Sequence, residues 1–454
     1  MPHHDVLVVG GGTGNNVAAA AAEAGLDTAL VEKGPLGGTC LNRGCNPSKM
    51  LIQAATAANH VREAGKFHLE ASLDTVDFAA IVDEMDETLS ALADGMEDGY
   101  REKPNLTMYR DEAAFVGERT VAVDGEKVSA EKVVVAAGSR PLVPPIDGLD
   151  DVPYMTSADA LYRRDQPERL VILGGGYIAV ELGYFFESLG TEVAIVERND
   201  RLVHREDEAL GERFTAVASE RHDVYTGHTA TAVTEDDGEV VVHAATTDGT
   251  ETTVRGTDLL VALGRRPNTD TLAVENAGIE TDDRGFVVTN EYLETTAENV
   301  WAQGDIAGNQ MFKHSGDYET HRTIENVVHE ERVPVDYTAM PHAIFTEPQL
   351  SGVGKTEQQL RESGTDYVVG RQSLPDTPMG RAKKLDDGFV KVLATPDGEI
   401  LGCHILGYEA STMIHEVVVA MRSASGHVTD VTGVIHAHPT LNKAVQYAFE
   451  DVPV

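Results

Sequence analysis

The sequence predicts an α/β protein in which one strand–turn–helix–strand unit occurs twice, followed by a smaller α+β domain. Three observations carry that expectation. Residues 5–32 and 170–197 share an apolar strand, a glycine-rich turn, a helix and a second strand closing on Glu. From about Met340 the pattern changes to alternating strands and an amphipathic helix. The length of 454 residues accommodates about two to four domains.

In the first unit the strand Asp5–Val9 leads into Gly10-Gly11-Gly12-Thr13-Gly14-Asn15. An Ala-rich helix follows to near Gly25, and the strand Thr28–Val31 closes at Glu32, beside Lys33. The second unit runs Leu170–Leu173, then Gly174-Gly175-Gly176-Tyr177-Ile178-Ala179, a helix to about Gly190, and Val193–Val196 closing at Glu197. Such glycines let backbone approach a pyrophosphate held at the helix N-terminus, and the acid accepts from a ribose hydroxyl. One match of this kind is weak; two, each with strand, helix and acid, predict two Rossmann-like dinucleotide-binding domains. Gly10, Gly12, Gly14, Glu32 and Lys33 are the candidate contacts in the first. Gly174, Gly176, Tyr177, Ile178 and Glu197 are those in the second.

Two dinucleotide sites in one chain suggest a flavoenzyme that takes hydride from a nicotinamide: FAD in the first domain, NAD(P) in the second. Pro141–Pro145 and the turn-rich stretch to Pro167 mark the approach to the second unit, and Gly264-Arg265-Arg266-Pro267-Asn268 its exit. The strand Asn299–Ala302 runs into Gly304-Asp305, where an acid is placed to hold a flavin ribityl hydroxyl. The expected division is therefore 1–150 (FAD, first part), 151–269 (NAD(P)), 270–339 (FAD, second part) and 340–454.

The formal net charge is −39, from 75 Asp+Glu against 36 Lys+Arg, and only 12 of the cations are Lys. With 41% hydrophobic residues the chain is nonetheless globular. The acid is spread along the whole sequence, a surface that disfavours nucleic acid and anionic membranes. It suits a protein of molar salt, where the Debye length is about 3 Å or less. No leader and no apolar run of the ~18 residues that cross a bilayer is evident, so the sequence reads as cytoplasmic.

Cys40 and Cys45 flank Leu41-Asn42-Arg43-Gly44. On a regular helix residues five apart point away from each other, so a disulfide requires the backbone to break, and Gly44 and Pro47 are the candidates for breaking it. The alternative is a pair of buried free thiols. Cys403 has no partner in sequence and reads as a core residue. No metal site is expected.

The segment Gly38-Thr39-Cys40-Leu-Asn-Arg43-Gly-Cys45-Asn-Pro-Ser-Lys49 closely resembles the active-site motif of the class I pyridine nucleotide–disulfide oxidoreductases. The likeness extends over essentially the whole chain, through Tyr177–Glu181, Gly138-Ser-Arg-Pro, Gly264-Arg-Arg-Pro, Gly304-Asp305 and His436-Ala-His438-Pro-Thr440. The resemblance implies roles. Cys45 would be the flavin-proximal thiol and Cys40 the interchange thiol that attacks substrate. Lys49 and Glu181 would pair beside the flavin, Gly38, Thr39, Gly138 and Asp305 would contact FAD, Gly264 the nicotinamide nucleotide, and Tyr177 would gate its pocket. His438 would be the acid/base for Cys40, reaching across a homodimer built by residues 340–454. An imidazole near pKa 6.5 suits that task, whereas His436 reads as structural.

Three departures refine the expectation. Asn15 stands at the third glycine position of the first turn, as in mycothione reductases, which calls for slight adjustment of helix–strand packing. Lys443 stands where most members carry the Glu that orients the base. Arg43 lies between the cysteines, where an apolar residue is common. Arg43 and Lys443, in a chain so short of cations, point to an anionic disulfide substrate. No cysteine follows Cys403, unlike mercuric reductase.

The thiol of haloarchaea is γ-glutamylcysteine, so the combined expectation is reduction of bis-γ-glutamylcystine. Dihydrolipoamide oxidation and reduction of a mycothione- or glutathione-like disulfide are the alternatives. A nucleotide-binding module that has lost catalysis is the reading from another class, and the intact cysteines, Lys49, Glu181 and His438 weigh against it. Glu197 favours NADH, while Arg198, Arg201 and Arg205 could clamp the 2′-phosphate of NADPH. The resemblance to thiol reductases favours NADPH.

Overall fold

The computed structural model describes all 454 residues. They form two compact units, Met1–Met50 with Ala80–Leu142 and Gly264–Asp336, and Leu51–Ala79 with Val143–Leu263 and Tyr337–Val454.

The first unit is built on a seven-stranded sheet. Its order is Leu106–Tyr109, Thr28–Val31, His3–Val9, Glu126–Val135, Thr120–Val123 and Ala113–Gly117, with Val300–Ala302 also pairing against Glu126–Val135. The central strands are parallel and the last two run antiparallel. Because both faces of the central strands are covered, they read as continuous apolar runs. Leu7, Val9, Val31, Val133 and Val135 pack into one layer with Phe115; Val6, Val8, Leu30 and Val134 pack into the other with Val17, Ala18 and Ala21 of the helix Gly14–Glu23. The register aligns Val9 with Val31 and Val135, and Val135 with Ala302. Gly10, Glu32, Ala136 and Gln303 therefore all follow the carboxyl edge of one sheet, where ligands bind in open α/β folds.

In the second unit a four-stranded parallel sheet has the order Asp223–Thr226, Glu192–Glu197, Arg169–Leu173, Asp258–Val261. The helix Tyr177–Ser188 follows the second glycine turn. A three-stranded antiparallel sheet, His228–Asp236, Glu239–Thr246 and Glu251–Gly256, shares an apolar core with the parallel one. Residues from Pro341 onward form a five-stranded antiparallel sheet whose central strand, Ile400–Gly407, lies between Gln349–Gly354 and Phe389–Ala394. The helices Ala410–Ser423 and Asn442–Glu450 and the buried Cys403 complete its core. This is the expected α/β architecture with a C-terminal α+β domain. No helix is long and apolar enough to cross a membrane.

Two local expectations change. The close helix–strand approach in the first turn falls on Gly14, where an added Cβ would lie 2.8 Å from both Val8 and Ala136 side chains. Asn15 is instead buried against Met96, whose Sδ accepts from its Nδ2 at 3.3 Å. Pro47 does not break the chain after Cys45. It sits in the first turn of the helix Cys45–Glu63, where a missing N–H leaves no intrahelical bond unmade.

Candidate active site

Gly44 alone makes the break between the cysteines. It ends the short helix Gly38–Arg43 with φ −151° and ψ −111°, outside any helical region. A Cβ there would lie 2.9 Å from the Thr39 carbonyl oxygen, so the chain doubles back as tightly as glycine allows. Cys45 is thereby returned to Cys40, and the two thiols share a hydrogen bond. That bond is the chief reason the Cys40 thiol is held well above its ordinary range; burial and the charge of Cys45 add to it, while Lys313 acts in the opposite sense. The Cys40 thiol also meets Asn46 Oδ1 at 3.7 Å.

Several polar groups surround this pair within the same unit. Arg43 is exposed. Lys313 opens the helix Lys313–Val327 and is ion-paired with Asp317 one turn on. Asp305 accepts from Ser139 Oγ at 2.5 Å, and Arg265 donates to Ser139 Oγ (2.7 Å) and Ser139 O (2.8 Å). Burial first, then repulsion from Arg43, depresses the Arg265 guanidinium, with Asp305 and Cys45 opposing. Lys49 Nζ donates to Ser48 Oγ at 3.3 Å.

The two glycine turns are near copies of one another. Gly11 N–H donates to Glu32 Oε2 (2.6 Å) and Gly34 N–H to Glu32 Oε1 (2.7 Å). Gly175 N–H donates to Glu197 Oε2 (2.5 Å) and Asn199 N–H to Glu197 Oε1 (2.7 Å). The first glycines are irreplaceable: Gly10 and Gly174 have φ of +110° and +107°, and a Cβ would meet Ala136 O at 2.4 Å and Ala262 O at 2.5 Å. The second glycines face open space. A Cβ at Gly12 meets nothing nearer than 3.8 Å, and one at Gly176 nothing within 4 Å. Backbone N–H groups at a helix start, open room beside them and an acid at the next strand's end fit a dinucleotide in each turn. A cleft lined by Gly10, Glu32, Lys33, Ala137 and Asn268 continues the first site, with Lys33 paired to Glu112 at 2.9 Å. Gly138 and Gly264 take positive φ with no obstructing neighbour.

These contrasts give a paired expectation. Gly176→Ala should leave the thermal midpoint unchanged yet raise the KM for the nicotinamide nucleotide tenfold or more, a loss of about 1.4 kcal/mol in binding. Gly174→Ala should destabilise the fold itself. Equal effects of both on stability, read by thermal melts, would refute the distinction.

Tyr177 and Ile178 begin the helix after the second turn. Tyr177 Oη donates to the fully buried Glu206 at 2.5 Å, and His342 Nε2 meets the other Glu206 oxygen at 2.7 Å. Burial, then the Glu206 charge, pushes the Tyr177 phenol up, so it stays protonated and donating. Glu181 is buried and accepts from Phe345 N–H at 2.9 Å. Around Glu197, Arg198, His204 and Arg205 are exposed; Arg201 is largely covered, its Nη1 on Asp200 and its Nε without a partner. Burial and the three arginines lower the His204 pKa, while Glu197 opposes them.

At the C-terminus His438 is exposed and its ring makes no hydrogen bond within the chain. Lys443 Nζ donates to Gln446 Oε1 at 2.5 Å and lies over the Tyr447 ring. His436 is held by Glu416 at 3.0 Å, in keeping with a structural part.

Residues 4–332 match the family described as "Pyridine nucleotide-disulphide oxidoreductase", and residues 340–449 match its "dimerisation domain". The chain is 38% identical over 458 residues to a dihydrolipoyl dehydrogenase of Halobacterium salinarum, covering 98% of this chain and 95% of that one. It is 34% identical over 460 residues to a mycothione reductase of Mycobacterium tuberculosis, covering 99% of each. The copper(II) complex of the HOCl-induced flavoprotein disulfide reductase RclA from Escherichia coli superposes with a TM-score of 0.88, 27% identity and 99% coverage of both chains. The fold and its cysteine pair define a flavoprotein disulfide oxidoreductase. The chain belongs to the pyridine nucleotide–disulfide oxidoreductase family, whose members use FAD and NAD(P)H, and its dimerisation domain supports a homodimer. The acid surplus is consistent with its haloarchaeal relatives.

Sequence reasoning missed Lys313, Glu206 and His342, and gave Arg265 no role of its own. Arg265 stood in a motif already noted, which was the available signal; its approach to Asp305 is made by the fold. The others are joined to the site only through the fold.

Proposed function

We propose that this enzyme reduces an anionic low-molecular-weight disulfide, bis-γ-glutamylcystine, with NADPH. The observation that carries the reading is the cation content around Cys40 and Cys45. In a chain of charge −39, Arg43 is exposed between the two thiols, and Lys313 also acts electrostatically on Cys40, opposed by its ion-pair partner Asp317. A substrate with four carboxylates is drawn to such a patch, whereas an uncharged lipoamide gains nothing from it. The exposed Arg198 and Arg205 beside Glu197 support a 2′-phosphate in the same way.

Bound FAD supplies the two-electron relay from NADPH to the cysteine pair. The chain's residues then act as follows. The Cys40 thiolate attacks one substrate sulfur, forming a mixed disulfide and expelling one thiolate. His438, from the second protomer, gives that leaving group its proton. The Cys45 thiolate attacks the Cys40 sulfur, closing the Cys40–Cys45 disulfide and releasing the second thiol. One NADPH and one proton convert one disulfide into two thiols.

The test is steady-state turnover in molar KCl with bis-γ-glutamylcystine, cystine, glutathione disulfide and lipoamide, each with NADPH and NADH. The highest kcat/KM is expected for bis-γ-glutamylcystine with NADPH. Fastest turnover with lipoamide and NADH would overturn the proposal.

A further inference from the structure

We infer that Glu416 is the positioning residue for His438, taking over the orienting task from the carboxylate that position 443 lacks. The inference rests on the proposed role of His438 as acid/base and deepens it.

His438 lies in the irregular stretch between the helices Thr429–Thr432 and Asn442–Glu450. Within the chain its own ring is unbonded and its neighbours Val434 and Ile435 are exposed. The segment is instead pinned on either side by one carboxylate. Glu416 Oε2 meets His436 Nε2 at 3.0 Å, and Glu416 Oε1 accepts from Asn442 Nδ2 at 3.0 Å. The two anchors stand two residues before His438 and four after it. Glu416 is carried on the helix Ala410–Ser423, whose Met413, Ile414 and Val417 are sunk in the domain core. The carboxylate is thus a rigid clasp closed around a short loop.

The proton count in this clasp is constrained. His436 Nδ1 faces the Val434 carbonyl at 3.2 Å, so that nitrogen is a donor. His436 Nε2 faces the Glu416 carboxylate, so both ring nitrogens meet oxygen acceptors. Glutamine at 416 reproduces the pattern: its amide donates to a neutral Nε2 while its carbonyl accepts from Asn442. Alanine removes both anchors.

The experiment compares wild type, Glu416→Ala, Glu416→Gln and His438→Ala as FAD-loaded dimers in molar KCl. Three quantities are read: the rate of flavin bleaching by NADPH, the rate at which pre-reduced enzyme reduces bis-γ-glutamylcystine, and the pH dependence of Cys40 alkylation by iodoacetamide. Misplacing a catalytic group by about 1 Å costs on the order of 10²-fold. Glu416→Ala is therefore expected to slow disulfide reduction at least tenfold and shift the Cys40 alkylation profile, with flavin bleaching within twofold of wild type. Glu416→Gln should restore both.

Slow disulfide reduction in His438→Ala with wild-type rates in Glu416→Ala would overturn this inference and leave the base assignment standing. Wild-type disulfide reduction in His438→Ala would overturn the base assignment itself. Should Glu416→Ala fail to fold, Asn442→Ala removes one anchor and is expected to slow the same step threefold or more; an unchanged rate refutes the clasp.

Discussion

Replacing Cys40 with serine is expected to abolish disulfide turnover while NADPH still bleaches the bound flavin. A serine hydroxyl is not ionised near neutrality, so the loss should be on the order of 10⁴-fold or more. Cys45→Ala should also stop turnover, but with an opposite signature at the remaining thiol. The hydrogen bond shared with Cys45 is the main influence holding the Cys40 thiol up. Without that partner Cys40 becomes more acidic, and iodoacetamide should alkylate it faster near neutral pH. Stopped-flow absorbance and mass spectrometry of the alkylated peptide separate the two variants. Retained turnover in Cys40→Ser, or slower alkylation of Cys40 in Cys45→Ala, would defeat this account of the pair.

The second large effect concerns stability. Lys391 is buried and bonds Asp207 Oδ1 at 2.7 Å and Glu357 Oε2 at 2.5 Å; Asp207 is itself wholly buried. Lys391→Met leaves two carboxylates facing each other without a cation. Stripping one partner from a buried pair costs about 3–5 kcal/mol, and molar salt screens so enclosed a site poorly. Chemical denaturation in molar KCl should show that loss, and an unchanged midpoint would refute it.

The pH dependence follows from the sign of the Asp207 shift. Burial opposes ionisation most strongly, but His404, Lys391 and the Glu357 N–H outweigh it and hold the carboxyl below its ordinary range. Its stabilisation is therefore present above the unfolded pKa of about 3.9 and lost as pH falls through the lower folded value. Lys391→Met removes one of these influences, leaving His404 and the Glu357 N–H, and should make that acid limb smaller.

The parts of the molecule that were legible in the sequence are those with local period or fixed spacing. Both glycine turns, their closing acids and the Gly304-Asp305 strand end were readable because each is a contiguous run obeying strand or helix periodicity. The strands Phe389–Ala394 and Ile400–Gly407 were readable for the same reason. The sheet from His228 to Gly256 gave no comparable signal, since its polar face interleaves Thr, Glu and Asp with short apolar residues. The Lys391–Asp207–Glu357 and Tyr177–Glu206–His342 clusters unite residues far apart in the chain, and isolated ionic side chains carry no period. Pro47 misled because its effect depends on where a helix begins, which spacing alone does not tell.

One junction carries an implication for how the chain can be rebuilt. Ser139–Pro141 pairs with Arg265–Pro267, and Leu142 N–H donates to Gly264 O at 2.9 Å. The chain thus departs from the first unit at Leu142 and rejoins it at Gly264 side by side, across a ladder belonging wholly to that unit. Everything between is an insertion whose two ends are already stitched together, and sites of this kind tolerate exchange of what they carry. An exchange of residues 143–263 therefore has two ready-made ends, and it must carry an acid at 206 and at 207 to keep the bonds to His342 and Lys391.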